Sequence, residues 1–101
     1  MAKHTVQIST FLKDIVPDFI QNRHNDIHSL STALQNRDFS TIRNIGHRMK
    51  GSSGSYGFKE LSEIGSNLES CAEKNNLEDA TLEFSKMKKY LEELEIIYVE
   101  L

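Results

Sequence analysis

The sequence has few of the residues that cross-link small proteins or anchor proteins in membranes. It contains one cysteine, Cys71, one proline, Pro17, and no tryptophan. A single cysteine excludes an internal disulfide and suits a reducing compartment, so we expect a cytoplasmic protein. No apolar run approaches the roughly 20 residues that span a bilayer, and the polar first ten residues are not a signal peptide. The fold must therefore be stabilised by burial of apolar side chains.

The sequence also lacks a strong excess of charge of either sign. Twelve Lys and Arg residues stand against fifteen Asp and Glu residues, for a formal net charge of -3. This balance gives no indication of a nucleic-acid partner. A hydrophobic share of 38% with 27% charged residues is typical of a globular protein. Since 101 residues leave room for one core, we predict a single domain over residues 1–101.

Apolar residues recur with helical spacing along almost the entire chain, and we see no strand pattern. We predict a short N-terminal helix at about 5–13, with Val6, Ile8, Phe11 and Leu12 as its apolar residues. Four longer helices follow, at about 17–35, 39–55, 58–74 and 77–101. Connections of two to four residues make successive helices antiparallel neighbours. The predicted fold is all-α, an antiparallel up-down-up-down four-helix bundle with a short N-terminal helix.

The predicted helix boundaries coincide with residues that suit them. Pro17 suits the first turn of a helix, where its missing N–H costs nothing. Asp38 suits the N-cap of the helix at 39–55, and Gly57 ends it. Asn75 with Glu78 is typical of a capping pair before the last helix.

One face of the helix at 39–55 carries polar residues and glycines around His47. A projection at 100° per residue places these positions within roughly 60° of the imidazole; they are Ser40, Arg43, Asn44, Lys50, Gly51 and Gly54. The apolar residues lie on the far side, and they are Ile42, Ile45, Met49 and Tyr56. We therefore expect the imidazole to point into solvent, beside cations and bare backbone.

The glycines of this helix need an explanation, because each costs about 1 kcal/mol in a helix interior relative to alanine. Gly51 and Gly54 fall on the His47 face, where bare backbone would let another macromolecule approach the imidazole closely. The alternative is that the glycines end the helix near residue 50 and leave His47 as an ordinary surface residue. The apolar stripe continues past residue 50, which favours the first interpretation.

The segment HRMKGSSGSYGF, at residues 47–58, resembles the motif of histidine-containing phosphotransfer (HPt) domains of bacterial phosphorelays. That motif has the form H-x-L-K-G-S-x-x-x-x-G, with the phosphoacceptor histidine first. Met49 stands where leucine is common, an exchange that conserves volume. The residues that match the motif are His47, Lys50, Gly51, Ser52 and Gly57. The helical pattern also fits, so the resemblance covers nearly the whole chain.

The resemblance implies that His47 takes a phosphoryl group from the aspartate of one receiver domain and passes it to another. Lys50, one turn away, is expected to neutralise phosphate oxygens. Arg43 is expected to add positive potential that attracts an acidic partner. The expected docking surface for receivers consists of Arg43, Asn44, Gly51 and Gly54.

Hairpin geometry adds one more candidate. If the two helices are antiparallel about Gly57, His47 should face a residue ten to twelve positions after the turn, which indicates Leu68 or Glu69. HPt domains often have glutamine at the position of Glu69, hydrogen-bonded to the imidazole Nδ1. Glu69 is thus expected to accept from Nδ1–H and leave Nε2 as the nucleophile. The alternative is a solvated glutamate, because a carboxylate would repel the incoming phosphate.

The sequence has no P-loop and no kinase glycine-rich loop, so the phosphoryl group must come from another protein. We expect a monomeric carrier that is not itself an enzyme and has no cofactor of its own, with Mg²⁺ on the receiver. The expected partners are receiver domains and a hybrid sensor histidine kinase, without nucleic acid or membrane.

Three other classes of function stay open. The chain could be a helical adaptor that binds signalling partners without phosphotransfer. His24 and His28 have the one-turn spacing of metal ligands, although Asn25 stands where a zinc protease helix has glutamate. The third class is the dimerisation half of a kinase, which is normally followed by an ATP-binding domain.

Overall fold

The computed structural model describes residues 3–100, and over that range the protein is a four-helix bundle, as predicted. The elements in chain order are β1 (His4–Ser9), a 3-10 turn (Thr10–Leu12), α1 (Val16–Gln35), α2 (Phe39–Tyr56), α3 (Lys59–Glu73), α4 (Leu77–Glu93) and β2 (Leu94–Val99). No helix between residues 3 and 100 combines the length and the apolar character needed to span a membrane.

Contacts between α1 and α2 show that these helices are antiparallel. Phe19, near the start of α1, makes an edge-to-face contact with Tyr56 at the end of α2, with ring centroids 4.8 Å apart. One turn further along α1, Arg23 donates a hydrogen bond to Ser52, one turn earlier in α2. The residue numbers rise on one helix as they fall on the other, which is the predicted up-down order.

The boundaries of α2 depend on the two residues that the sequence indicated. The Asp38 carboxylate accepts a hydrogen bond from the Thr41 backbone N–H at 3.1 Å and another from the Thr41 hydroxyl. Gly57 follows the helix with φ of 92°, in the left-handed region that side chains disfavour. Between these caps the helix runs without interruption past Gly51 and Gly54. The alternative in which the glycines end the helix near residue 50 is therefore wrong.

The cap of α4 lies one residue later than predicted. Asn76, not Asn75, accepts from the backbone N–H of Asp79 at 3.1 Å. Asn75 instead adopts φ of 53° in the turn that precedes the helix. Both asparagines precede an acidic residue by three positions, so the spacing alone did not distinguish them.

The core consists of the inward faces of the helices and the connection between α2 and α3. Ile42, Ile45 and Met49 are buried behind the His47 face, as predicted. Phe58, just after Gly57, is also fully buried and stacks on Phe19 of α1 at 5.2 Å between centroids. The core thus anchors both ends of α2 against its neighbours.

The two ends of the described chain form strands, where helices were predicted. Residues 4–9 pair in parallel with residues 94–99, which we call the terminal ribbon. The predicted helix at 5–13 and the continuation of the last helix beyond residue 93 are therefore wrong. Ile8 is only 1% exposed, whereas Phe11, expected on the same apolar face, is 92% exposed. Leu101, predicted as the last helical residue, lies outside the described residues.

Candidate functional site

The helix α2 presents His47 to solvent near its middle. The imidazole side chain is 71% exposed, while Ile45 and Met49 on the opposite side of the helix are buried. The amphipathic pattern of α2 therefore fixes the direction of the imidazole without any contribution from a loop.

Glu69 of α3 lies beside the imidazole. Its Oε2 is 2.8 Å from Nδ1 of His47, and its side chain is 17% exposed. An ionised carboxylate only accepts hydrogen bonds, so the proton of a neutral imidazole must be on Nδ1. Nε2 then keeps its lone pair. Leu68, the other residue that the hairpin argument indicated, is fully buried in the core.

Lys50 lies on the other side of the same carboxylate. Its Nζ is 4.0 Å from Oε1 of Glu69, and its side chain is 52% exposed. An ion pair at this distance and exposure is weak and leaves the ammonium free to take another partner. Glu69 therefore lies between the imidazole and the ammonium, with one oxygen directed to each.

The residues expected to dock receivers lie on both sides of His47. Arg43 and Asn44 are exposed, and they line a shallow cleft together with His47 and Arg48. A Cβ added at Gly51 would meet no neighbouring atom within 4 Å, so the backbone there is open. Gly54 is also exposed, but a Cβ at this position would contact the Ser62 hydroxyl oxygen at 3.4 Å, so it borders α3.

The sequence model of the Hpt domain matches residues 14–96. The chain belongs to the Hpt domain family. This family is a phosphocarrier module of phosphorelay signalling, in which a histidine transfers phosphoryl groups and the domain interacts with receivers and kinases. No curated protein and no solved structure matches the chain.

The charge around the site of this Hpt domain is positive on one helix and negative on the next. The helix α2 contains Arg43, Arg48 and Lys50 and no acidic residue. The helix α3 contains four glutamates, which are Glu60, Glu63, Glu69 and Glu73. Of these, Glu69 is the one hydrogen-bonded to His47, while every charged side chain on the helix that carries His47 is cationic.

The other histidines of the Hpt domain lie away from this site. His24 and His28, considered as metal ligands, are both exposed on α1. Among residues 3–100, no three His, Cys, Asp or Glu side chains converge in a way that would hold a metal ion. His4 lies in β1, where its ring packs against Tyr90 and its Nδ1 is 3.4 Å from Glu60.

Sequence reasoning did not identify the residues that join α3 to α2 beneath the site. Gly46 and Gly65 face each other across the two helices, and the Ser62 hydroxyl donates to the Lys50 carbonyl oxygen at 2.9 Å. A glycine in the middle of each helix was the available indication, because bare backbone in a helix interior often marks a close approach.

A second missed group joins α1 to α2. The Arg23 guanidinium lies 4.7 Å from the centre of the Phe19 ring, pairs with Asp26 at 2.9 Å and donates to Ser52 Oγ at 3.0 Å. Burial raises the pKa of Asp26, and the positive charges of Arg23 and Arg48 offset only part of that rise. The group places Ser52 and the following turn of α2 against α1.

Proposed function

We propose that this Hpt domain is a phosphorelay intermediate whose His47 accepts a phosphoryl group from a receiver aspartate and passes it to another receiver aspartate. The observation that carries the proposal is the 2.8 Å hydrogen bond between Nδ1 of His47 and Glu69 on an otherwise exposed imidazole. This bond leaves Nε2 unprotonated and accessible, which is what a nucleophile requires.

The transfer step follows from this tautomer. The Nε2 lone pair attacks the phosphorus of the aspartyl phosphate in line with the bond to the aspartate oxygen. The N–P bond forms, the P–O bond breaks, and the aspartate carboxylate leaves with the electron pair. No proton has to leave Nε2, because the proton of His47 is on Nδ1 and remains shared with Glu69. The same carboxylate stabilises the positive charge that the phosphorylated ring acquires, and the step reverses at the next receiver.

Lys50 supplies the positive charge that the moving group needs. Its ammonium pairs only weakly with Glu69 at 4.0 Å and is half exposed, so it is free to turn toward phosphate oxygens near Nε2. This contact also offsets the repulsion between the phosphate and the Glu69 carboxylate. Lys50 and Glu69 thus act as a pair, one for the phosphate and one for the ring.

The proposal places the receiver on the exposed face formed by Arg43, Asn44, Gly51 and Gly54, which includes the open backbone at Gly51. The divalent cation of the exchange belongs to the receiver, and the phosphoryl group originates in a hybrid sensor histidine kinase. The domain itself contributes the nucleophile, its orientation and one cation.

The test is incubation of the purified domain with a receiver that carries a labelled aspartyl phosphate. We expect acid-labile, base-stable label on the wild type and none on His47→Gln. His4→Gln is the matched control, since it makes the same substitution in β1, away from this face, and is expected to label normally. Equal labelling of the wild type and His47→Gln would overturn the proposal. Receiver binding without any label would support the adaptor alternative.

A further inference from the structure

The backbones of α2 and α3 approach each other closely at Gly46, the residue before His47. A Cβ added to Gly46 would lie 2.7 Å from the carbonyl oxygen of Gly65 and 2.8 Å from the backbone nitrogen of Glu69. A Cβ added to Gly65 would lie 2.6 Å from the backbone nitrogen of Lys50 and 2.7 Å from the carbonyl oxygen of Gly46. Backbone atoms cannot yield as a flexible side chain does, so either addition forces the helices apart by several tenths of an ångström.

The atoms in this contact belong to the site itself. Gly46 immediately precedes His47, and it packs against the backbone of Glu69. Gly65 lies one turn before Glu69, and it packs against the backbone of Lys50. The glycine contact therefore determines how far the Glu69 carboxylate is from the imidazole.

A third residue holds the same two helices together. The Ser62 hydroxyl of α3 donates to the carbonyl oxygen of Lys50 at 2.9 Å. A helix carbonyl normally accepts only from within its own helix, so this additional bond joins α3 to the turn of α2 that carries Lys50.

We propose that the α2–α3 crossing, formed by Gly46 and Gly65 and joined by the Ser62 hydroxyl, fixes the Nδ1–H tautomer of His47 and thereby its capacity to accept a phosphoryl group. The three residues are positioning residues that act through Glu69. The inference rests on the proposed role of His47 as phosphoacceptor.

The dependence on distance has a simple cause. The hydrogen bond between Nδ1 and Glu69 is 2.8 Å long, and N–H···O hydrogen bonds in proteins need donor–acceptor distances of about 2.7–3.2 Å and a nearly linear angle at the hydrogen. Glu69 is 17% exposed, so its side chain is held between the helices and does not follow the imidazole freely. An imidazole without a fixed acceptor is free to carry its proton on Nε2, and the lone pair is then lost from the nitrogen that faces the receiver.

The experiment compares the wild type with Gly65→Ala. The tautomer of His47 is read from ¹⁵N shifts of labelled imidazole, and transfer is measured with a phosphorylated receiver. We expect Gly65→Ala to lose the Nδ1–H preference and to accept phosphoryl groups about tenfold more slowly or worse, with helix content unchanged. In Gly51→Ala, which adds the same methyl group in open space, the tautomer is expected to stay as in the wild type. A wild-type tautomer and rate in folded Gly65→Ala would overturn the inference.

A double-mutant cycle separates positioning from a general loss of structure. If the crossing acts through Glu69, Gly65→Ala should slow transfer little further when Glu69→Ala is already present. A full second loss in that background would show that Gly65 does not act through Glu69, and the inference would fall.

Ser62→Ala is the second variant, used if Gly65→Ala does not fold. It removes the hydrogen bond to Lys50 without a steric clash, and we expect a several-fold slower transfer with a measurable tautomer shift. An unchanged tautomer and rate would contradict the inference. The tautomer is measured without a phosphoryl donor. A wild type that carries its proton on Nδ1 but never becomes labelled would therefore count against the proposed function and not against the role of the crossing.

Discussion

At the scale of single residues, the buried end of Arg23 shows how much one side chain adds to the scaffold of the site. Its guanidinium covers the Phe19 ring, pairs with Asp26 and donates a hydrogen bond to Ser52 on α2. The ion pair does not fully offset the cost of burying the Asp26 carboxylate, because burial raises the pKa of Asp26 more than Arg23 and Arg48 lower it. The ionised carboxylate is therefore less favourable in the folded protein than in the unfolded chain.

This raised pKa gives a pH dependence with a defined sign. The folded protein retains the Asp26 proton above the unfolded value near 3.8, so the contribution of Asp26 to stability falls as pH rises from that value through the folded pKa. Asp26→Asn keeps an acceptor for Arg23 and removes the charge. We expect Asp26→Asn to be more stable relative to the wild type at pH 7 than at pH 3. The free energies of unfolding are measured by urea titration followed by circular dichroism. The same difference in free energy of unfolding between the variant and the wild type at both pH values would contradict this assignment.

Residue spacing predicted the part of the site that lies within one helix, and less of what lies between helices. His47 and Lys50 share a face because three residues nearly complete a turn. Glu69 was predicted as a neighbour because the turn at Gly57 fixes the register of a hairpin. Gly65 was missed because the separation of two helices depends on the residues that pack between them. The periodicity within one helix gives no information about that separation.

At the scale of elements, the terminal ribbon shows where periodicity misleads. Val6 and Ile8 are two residues apart, as are Leu94, Ile96 and Tyr98, and these side chains turn inward from the two strands. Leu94 and Tyr98 are also four residues apart, so they continue the helical spacing of α4 equally well. Six residues are too few to separate a period of 2 from a period of 3.6, and the nonlocal pairing decided the outcome.

The ribbon makes a testable contribution to stability through Ile8. This side chain is 1% exposed, and Ile8→Ala is expected to destabilise the protein by about 2–4 kcal/mol, because it removes buried methyl groups and leaves a cavity. Phe11→Ala removes a larger side chain that is 92% exposed, and it should change stability by less than about 0.5 kcal/mol. Denaturant unfolding of both variants checks the pair. The reverse order would contradict the burial of Ile8 in the terminal ribbon.

At the scale of the whole molecule, a net charge of -3 conceals an uneven distribution. The helix α2 carries only cations among its charged groups, while α3 and α4 carry most of the acidic residues of the bundle. Such a molecule has one positive side even though it is acidic overall. An acidic partner is therefore attracted to the cationic side chains that α2 presents on the His47 face.

Association with an acidic receiver should accordingly depend on salt. We expect the association rate constant to fall by about tenfold between low and high ionic strength, because screening removes the attraction that orients the two proteins. Arg43→Gln should lower the rate at low salt and flatten its salt dependence, while Lys74→Gln, at the end of α3, should have little effect. Stopped-flow binding at a series of salt concentrations gives the association rate constant at low salt and its dependence on salt. A rate constant independent of salt would mean that the positive face does not guide encounter.

The parallel pairing of the terminal ribbon also determines how the molecule would respond to force. His4 begins β1 at one end of the ribbon, and Val99 ends β2 at the other, so a pull on the two ends of the chain acts along the strands. Such a pull shears the ladder and loads all its hydrogen bonds together, whereas antiparallel strands pulled in this way would separate one bond at a time. The terminal ribbon is therefore expected to bear the applied force, and the four helices come under tension only after its hydrogen bonds have ruptured.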